Sequence, residues 1–245
     1  MLKKLLVAGS LSVAMVAGAV WAAEAVSEEK AASSSIALGL TVNEGNTDNS
    51  MFNAAFTYDR TLDEKNSVRL ALDAAYGETD NDKTTDNANA AFDYRHLLTE
   101  RAYAALNLSY RTDDIADLDY RWVVSPGLGY LLMKNERATL STEVGPAVVG
   151  EKKGGETTED IALRIAERYE RSLSTNAKVW QSAEYLPKID DFDTYLLNLE
   201  IGVEAPVSEK INVRLVVRNA YDSDPAPGRD DNDLTVIGAL SYTLF

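Results

Sequence analysis

The chain has 245 residues, 45% hydrophobic and 26% charged, with no cysteine, one histidine and a formal net charge of -15 at pH 7. That composition is not the profile of a disordered chain, and the length fits one large all-β domain or two ordinary ones. Past residue 22 no run approaches the roughly 20 apolar residues of a spanning helix, which excludes a helical membrane protein, and the acidity argues against nucleic acid or anionic headgroups as direct partners.

The first residues read "MLKKLLVAGSLSVAMVAGAVWAAEA": two lysines, a short apolar stretch, then a small-x-small arrangement ending at Ala22. This pattern predicts a secretory signal peptide over residues 1–22, with a retained membrane anchor as the alternative reading. Removing Lys3 and Lys4 would take the mature charge to about -17, that is -15 minus 2. Residues 23–34 read as an acidic, Ser-rich periplasmic linker, and residues 35–245 as one β-domain. An exported chain without disulfides must draw its stability from a sizeable core or from extensive strand pairing.

From Ser35 onward the hydrophobic pattern has period two. Ile36, Leu38, Leu40 and Val42 alternate with small or polar residues, a polar knot follows, and Phe52, Ala54, Phe56 and Tyr58 resume the alternation. The same rule holds through Val68–Gly77, Asn87–Arg95, Ala102–Arg111 and Tyr120–Tyr130. Further strands are predicted near 137–149, 160–171, 176–186, 194–205, 211–221 and 233–244. The total is about twelve segments of about ten to thirteen residues, long enough for tilted strands that cross a bilayer. "EDIALRIAERYER" also fits an amphipathic helix, but its neighbours favour a strand.

The connections alternate in length. "TLDEK", "LLTE", "LLMKNE", "SLST" and "PVSEK" are short; "NEGNTD", "TDNDKTTD", "TDDIADLD", "EKKGGETTED", "PKIDDFD" and "DSDPAPGRDD" are longer and acidic. Short turns on one side and long loops on the other are the asymmetry of an outer-membrane barrel, and an even strand number then puts both termini in the periplasm. The predicted fold is therefore an all-β, antiparallel transmembrane β-barrel of the bacterial outer membrane.

A soluble sandwich and a membrane barrel differ in where the apolar face points. In a barrel it faces lipid, and the alternate face must be polar yet packed. The alternate face here carries Arg69, Asp73, Asp93, Arg95, Arg111, Arg121, Glu143, Arg164, Arg168, Glu200, Glu204, Arg214 and Arg218. A solvated sandwich face is similar in composition. The aromatic residues decide for the barrel: Tyr58, Tyr76, Tyr94, Tyr110, Tyr120, Trp122, Tyr130, Tyr185, Tyr195, Tyr221 and Tyr242 stand at strand ends, as interfacial girdles would.

"LGLTVNEGNTDNS", "SPGLGYLLMKNERATLSTEVGP", "YLPKIDDFDTYLLNLEIGVEAPVSEKINV" and "YDSDPAPGRDDNDLTVIGALSYTLF" occur in that order. Together they resemble the YdiY-like family of salt-induced outer membrane proteins, grouped as a domain of unknown function, over nearly the whole span from Ser35 to Phe245. The resemblance implies a single outer-membrane barrel and transfers no catalytic residue and no substrate. The terminal Phe245 reads as a barrel-assembly signal, although it is out of phase with the apolar row Leu240, Tyr242 and Leu244.

Catalysis has little to work with. His96 is the one histidine, beside a short turn, and no serine is spaced to pair with it, so a non-enzymatic protein is expected. A zinc or iron site built from several Cys or His is excluded by composition; only oxygen ligands for Ca²⁺ or Mg²⁺ remain. Asp222, Asp224, Asp230 and Asp231 are the candidate cation ligands, with a solvated loop tip stiffened by Pro225 and Pro227 as the plainer reading. The sequence thus predicts no resident cofactor, and as partners outer-membrane lipid, lipopolysaccharide and, during biogenesis, the barrel-assembly machinery. Two functions stay open: an envelope barrel plugged by paired charges that contributes to integrity under ionic or osmotic stress, and a narrow porin-like channel with an acidic mouth.

Overall fold

The computed structural model describes residues 32–43, 49–173 and 177–244. The expected signal peptide, most of the expected linker and the assembly signal Phe245 lie outside the described residues. Twelve strands follow one another: β1 (Ala32–Asn43), β2 (Asn49–Thr61), β3 (Asn66–Thr79), β4 (Asp82–Leu97), β5 (Ala102–Asp113), β6 (Leu118–Lys134), β7 (Ala138–Lys153), β8 (Glu156–Ser172), β9 (Lys178–Pro187), β10 (Tyr195–Pro206), β11 (Ile211–Asp222) and β12 (Asn232–Thr243). Each pairs antiparallel with its chain neighbour, and β1 pairs with β12 to close a barrel. Closure removes the sheet edges that would otherwise carry unpaired backbone groups.

Two sequence expectations are revised and one is borne out. β1 starts at Ala32, so Ala32–Ser34 pair with Tyr58–Arg60 of β2 and do not belong to a linker. "EDIALRIAERYER" is strand, because both flanking strands supply antiparallel partners for it. Two of the connections read as long loops are tight turns on tall hairpins. Asp80 and Asn81 take φ values of 52° and 70°, the left-handed pair of a two-residue hairpin turn. Gly154 and Gly155, at 58° and 81°, do the same between β7 and β8.

Period two gives the barrel two faces. Outside, Leu40, Leu128, Val144, Ile161, Ile201, Val213, Leu215, Val236 and Leu240 are exposed. Rings stand toward the ends of this apolar band: Tyr195 meets Tyr185 edge-on at 5.2 Å and stacks with Tyr221 at 5.5 Å, while Lys210 lies 5.9 Å from the Tyr242 ring at the opposite end. Inside, large side chains are accommodated by glycines on the next strand. Trp180 is 4% exposed and lies opposite Gly202, where an added Cβ would run into the indole; Tyr103 stands over Gly129 in the same way.

Gly202→Val therefore forces Trp180 from its place and is expected to destabilise the barrel by about 1–3 kcal/mol, the ordinary cost of overpacking. The check is the urea midpoint of the heat-modifiable gel band. An unchanged midpoint would show that the indole does not pack against Gly202.

Candidate functional site

The inner face is built by parity. In the strand register Asp59 opposes Arg69, which opposes Asp93; Asp93 opposes Asn107, and the same row passes on to Ser125. The alternation places Arg69, Asp73, Asp93, Arg95, Arg111, Arg121, Glu143, Arg164, Arg168, Glu200, Glu204, Arg214 and Arg218 all on the luminal side. Charges brought together in so narrow a space are tolerated only when matched in sign and hydrogen-bonded.

The matching is extensive at mid-height. Arg164 of β8 reaches Glu184 at 2.5 Å through Nε and Glu143 at 2.9 Å through Nη1, and it donates to Asn107 of β5 at 2.9 Å. Arg218 of β11 pairs with Glu200 of β10 at 2.7 Å and, four strands around the barrel, with Asp73 of β3 at 3.0 Å. Asn89 donates to Asp73 at 2.9 Å and Asn107 to Asp93 at 2.5 Å, so the amides occupy the remaining carboxylate lone pairs.

Toward the short turns, rings join the charges. Arg95 of β4 pairs with Glu143 of β7 at 2.8 Å and lies 5.0 Å above the Tyr103 ring, whose hydroxyl donates to the same Glu143 at 2.9 Å. Trp180 donates to Glu200 at 2.6 Å and carries the Arg214 guanidinium 4.9 Å over its ring. Arg69 pairs with Asp59 at 3.2 Å, Arg168 approaches Glu170 at 3.5 Å, and Glu204 is buried opposite Arg214.

Toward the long loops, Arg121 of β6 bridges Glu151 at 2.5 Å and, across the barrel, Asp222 at the end of β11 at 2.6 Å. Lys153 pairs with both carboxylates at 3.1 Å and donates to the Asp224 carbonyl. The segment after β11 thereby folds over the mouth: Ala226 is 3% exposed, and Pro227 lies beside Gly154 at the tip of the β7–β8 hairpin. Arg111 pairs with Asp113 at 2.7 Å and comes within 3.9 Å of Asp233 on β12. Just past the end of β9, Lys188 salt-bridges Asp160 of β8 at 3.0 Å; partial burial works against its charge, but the Asp160 hydrogen bond and charge outweigh it and raise its pKa.

What this network leaves is a cavity of about 590 Å³, bordered by Asp73, Asn89, Arg111, Glu184, Arg218 and Asp233 on its polar side and by Ala37, Ala55, Val216, Ile237 and Ala239 on the other. The four candidate cation ligands do not converge. Asp222 is turned inward onto Arg121 and Lys153, and accepts from the Asp224 amide at 3.0 Å; Asp230 and Asp231 border a recess of about 40 Å³ beside it. Among the described residues no group of three or more His, Cys, Asp or Glu is arranged to hold a metal. His96 shares a 2.8 Å hydrogen bond with Asn66, which also accepts from Tyr94 at 2.5 Å.

Several members of the network escape a reading of the sequence. Glu151, Lys153 and Asp222 sit in segments that look like acidic loops, yet the strands run on through them. Glu184 and Asp59 keep the luminal parity and were legible on that signal alone.

These features define a class: a closed, twelve-stranded antiparallel barrel with an apolar exterior and a lumen crossed by ion pairs. The family model of DUF481, a protein family of unknown function, matches residues 36–244, and the chain belongs to that family. No curated protein matches the chain. Among solved structures it is similar to the NanC porin, at 7% identity and a TM-score of 0.48, covering 86% of this chain and 96% of that one. It is also similar to the KdgM porin, at 7% identity and a TM-score of 0.45 over 86% and 98% of the two chains. The translocator domain of the autotransporter NalP from Neisseria meningitidis matches at 14% identity and a TM-score of 0.45, over 86% of each chain.

Arg164 holds two carboxylates at once. Arg164→Ala leaves Glu143 and Glu184 short of a partner and is expected to cost about 3–5 kcal/mol in urea unfolding, as removal of one member of a buried ion pair does. Glu184→Gln, which keeps a hydrogen-bond acceptor at the same place, is expected to cost less. Equal losses in the two variants would contradict the assigned geometry.

Proposed function

We propose that the protein is a non-catalytic barrel of the bacterial outer membrane, exported by a cleaved signal peptide, with its lumen closed to bulk ion flow. The observation that carries the reading is the set of ion pairs joining strands that are not neighbours: Arg218 with Asp73, Arg121 with Asp222 and Arg95 with Glu143. A water-filled passage needs charges free to meet solutes, whereas these are spent on one another. The outward apolar band and its terminal rings fit a bilayer setting. In this setting the barrel contributes to envelope integrity under ionic or osmotic stress, the role the YdiY-like resemblance suggests, with the termini and short turns in the periplasm.

A second reading is a narrow channel for ions or small solutes. The cavity of about 590 Å³ favours it, since the lumen is not filled. Planar-bilayer recording of the refolded mature protein separates the two. The closed barrel is expected to be silent in KCl and CaCl₂, and Arg121→Ala with Lys153→Ala, which unties the β11–β12 segment from the mouth, is expected to introduce discrete steps. Steps in the unaltered protein would establish the channel instead.

A further inference from the structure

Almost every arginine of the lumen is matched. Arg69, Arg95, Arg111, Arg121, Arg164 and Arg218 each reach a carboxylate at 3.2 Å or closer. Arg214, opposite the buried Glu204, has the Trp180 ring 4.9 Å from its guanidinium. Arg168 of β8 is the exception. Its side chain is 26% exposed, and its one ionic contact among the described residues is Glu170, two positions along its own strand, at 3.5 Å. That is beyond the roughly 3.2 Å reach of an N–H···O bond. Its register neighbours Ser141 and Ser182 carry no charge. A guanidinium so far withdrawn from water is costly to leave without a counter-charge.

The space beside Arg168 belongs to a recess of about 330 Å³ at the short-turn end, where β1 begins and β2 ends. Of the inward-facing residues, Asp59, Ser67, Arg69, Asp93, Arg95 and Arg168 border it. Three guanidiniums on three strands thus meet two carboxylates. Pairing does not exhaust the other two arginines. Arg69 engages Asp59 through Nη1 and Arg95 engages Glu143 through Nη2, out of five N–H donors each. The buried Arg95 Nε has no hydrogen-bond partner among the described residues. The recess therefore combines an excess of positive charge with spare donors, which is the chemistry of an anion site.

The carboxylates narrow the choice of anion. Asp93 opposes Arg69 in the register and accepts from Asn107 at 2.5 Å, which leaves it further lone pairs. It repels a bare oxyanion and accepts from one that brings its own hydrogen-bond donor. At neutral pH inorganic phosphate keeps a P–OH. Sulfate has none, and a phosphate monoester, with a second pKa of about 6, has mostly lost its own. The volume exceeds that of the ion alone and leaves room for waters that bridge it to the arginines, at about 30 Å³ each.

We propose that this recess binds inorganic phosphate, with Arg168, Arg69 and Arg95 donating to its oxygens and Asp93 accepting from its P–OH. Bound phosphate supplies the counter-charge that Arg168 lacks. The site goes beyond the closed-lumen reading and does not depend on it, because a recess at the short-turn mouth fills without ion flow through the barrel.

The test is titration calorimetry of the refolded mature barrel in detergent with potassium phosphate at pH 7, at fixed ionic strength, with sulfate and glycerol 3-phosphate as comparison probes. Saturable binding of phosphate at one site is expected, with both comparison probes about tenfold weaker or more. Arg168→Gln is expected to weaken phosphate about tenfold, the worth of one charge-assisted hydrogen bond. Glu170→Gln removes the carboxylate that competes for Arg168 and is expected to tighten binding by about twofold to fivefold, as loss of a weak ion pair would. Asp93→Asn, whose amide can donate, is expected to bring sulfate up to the level of phosphate. Heat-modifiable gel mobility checks the folding of each variant, and Glu170→Gln carries the test where Arg168→Gln does not fold. Absence of saturable phosphate binding overturns the site, and so does an affinity that folded Arg168→Gln leaves unchanged or that Glu170→Gln fails to raise. Sulfate or glycerol 3-phosphate bound as tightly as phosphate by the unaltered barrel overturns the assignment to phosphate through its P–OH.

Discussion

The structure depends on one constraint: a sheet that satisfies its backbone hydrogen bonds by closing on itself. Once twelve strands join in a ring, each residue faces either outward or inward, and the period-two pattern of the sequence becomes a division of chemistry. The apolar row is left outside with no protein to cover it. The polar row is confined to a lumen too narrow to solvate thirteen or more charges independently, and pairing follows from that confinement. Arg164 with Glu143 and Glu184, and Arg218 with Glu200 and Asp73, are the centre of the result.

The pairing in turn decides what the barrel can do. Ion pairs between adjacent strands would merely line a passage, but those linking β3 with β11, β4 with β7 and β6 with β11 cross it. The segment after β11 adds a lid at the long-loop end, held by the Asp222 and Asp224 contacts of Lys153. Aromatic rings fill the short-turn end, with Trp180 and Tyr103 seated over glycines of the neighbouring strands. The lumen is thus tied at three heights.

Much of this was legible in the sequence because β-alternation survives in one dimension. Leu70 and Phe92 declare their side as plainly in a string of letters as in the barrel, and so do Arg69 and Asp93. The places where strands end were harder. "EKKGGETTED" and "TDNDKTTD" have the composition of loops, and only the positive φ values of Asp80, Asn81, Gly154 and Gly155 reveal tight turns on hairpins that extend past the apolar band. For that reason Glu151 and Lys153 were hidden in a supposed loop, while Asp222, at the head of "DSDPAPGRDD", looked like a cation ligand when its carboxylate is held by Arg121 and Lys153. Partnerships were not legible at all. That Arg218 meets Asp73, 145 residues away, follows from the curvature of the ring and from no local pattern.

The central claim, that paired charges tie non-neighbouring strands together across the lumen, is tested most directly by a double-mutant cycle between Arg218 and Asp73, measured by urea unfolding of the refolded barrel. Arg218→Gln, Asp73→Asn and the two combined are expected to show a coupling of about 1–3 kcal/mol, as contacting members of one ion-pair network do. Strict additivity of the two substitutions would mean that the cross-lumen contact carries no energy, and the closed lumen would lose its physical basis.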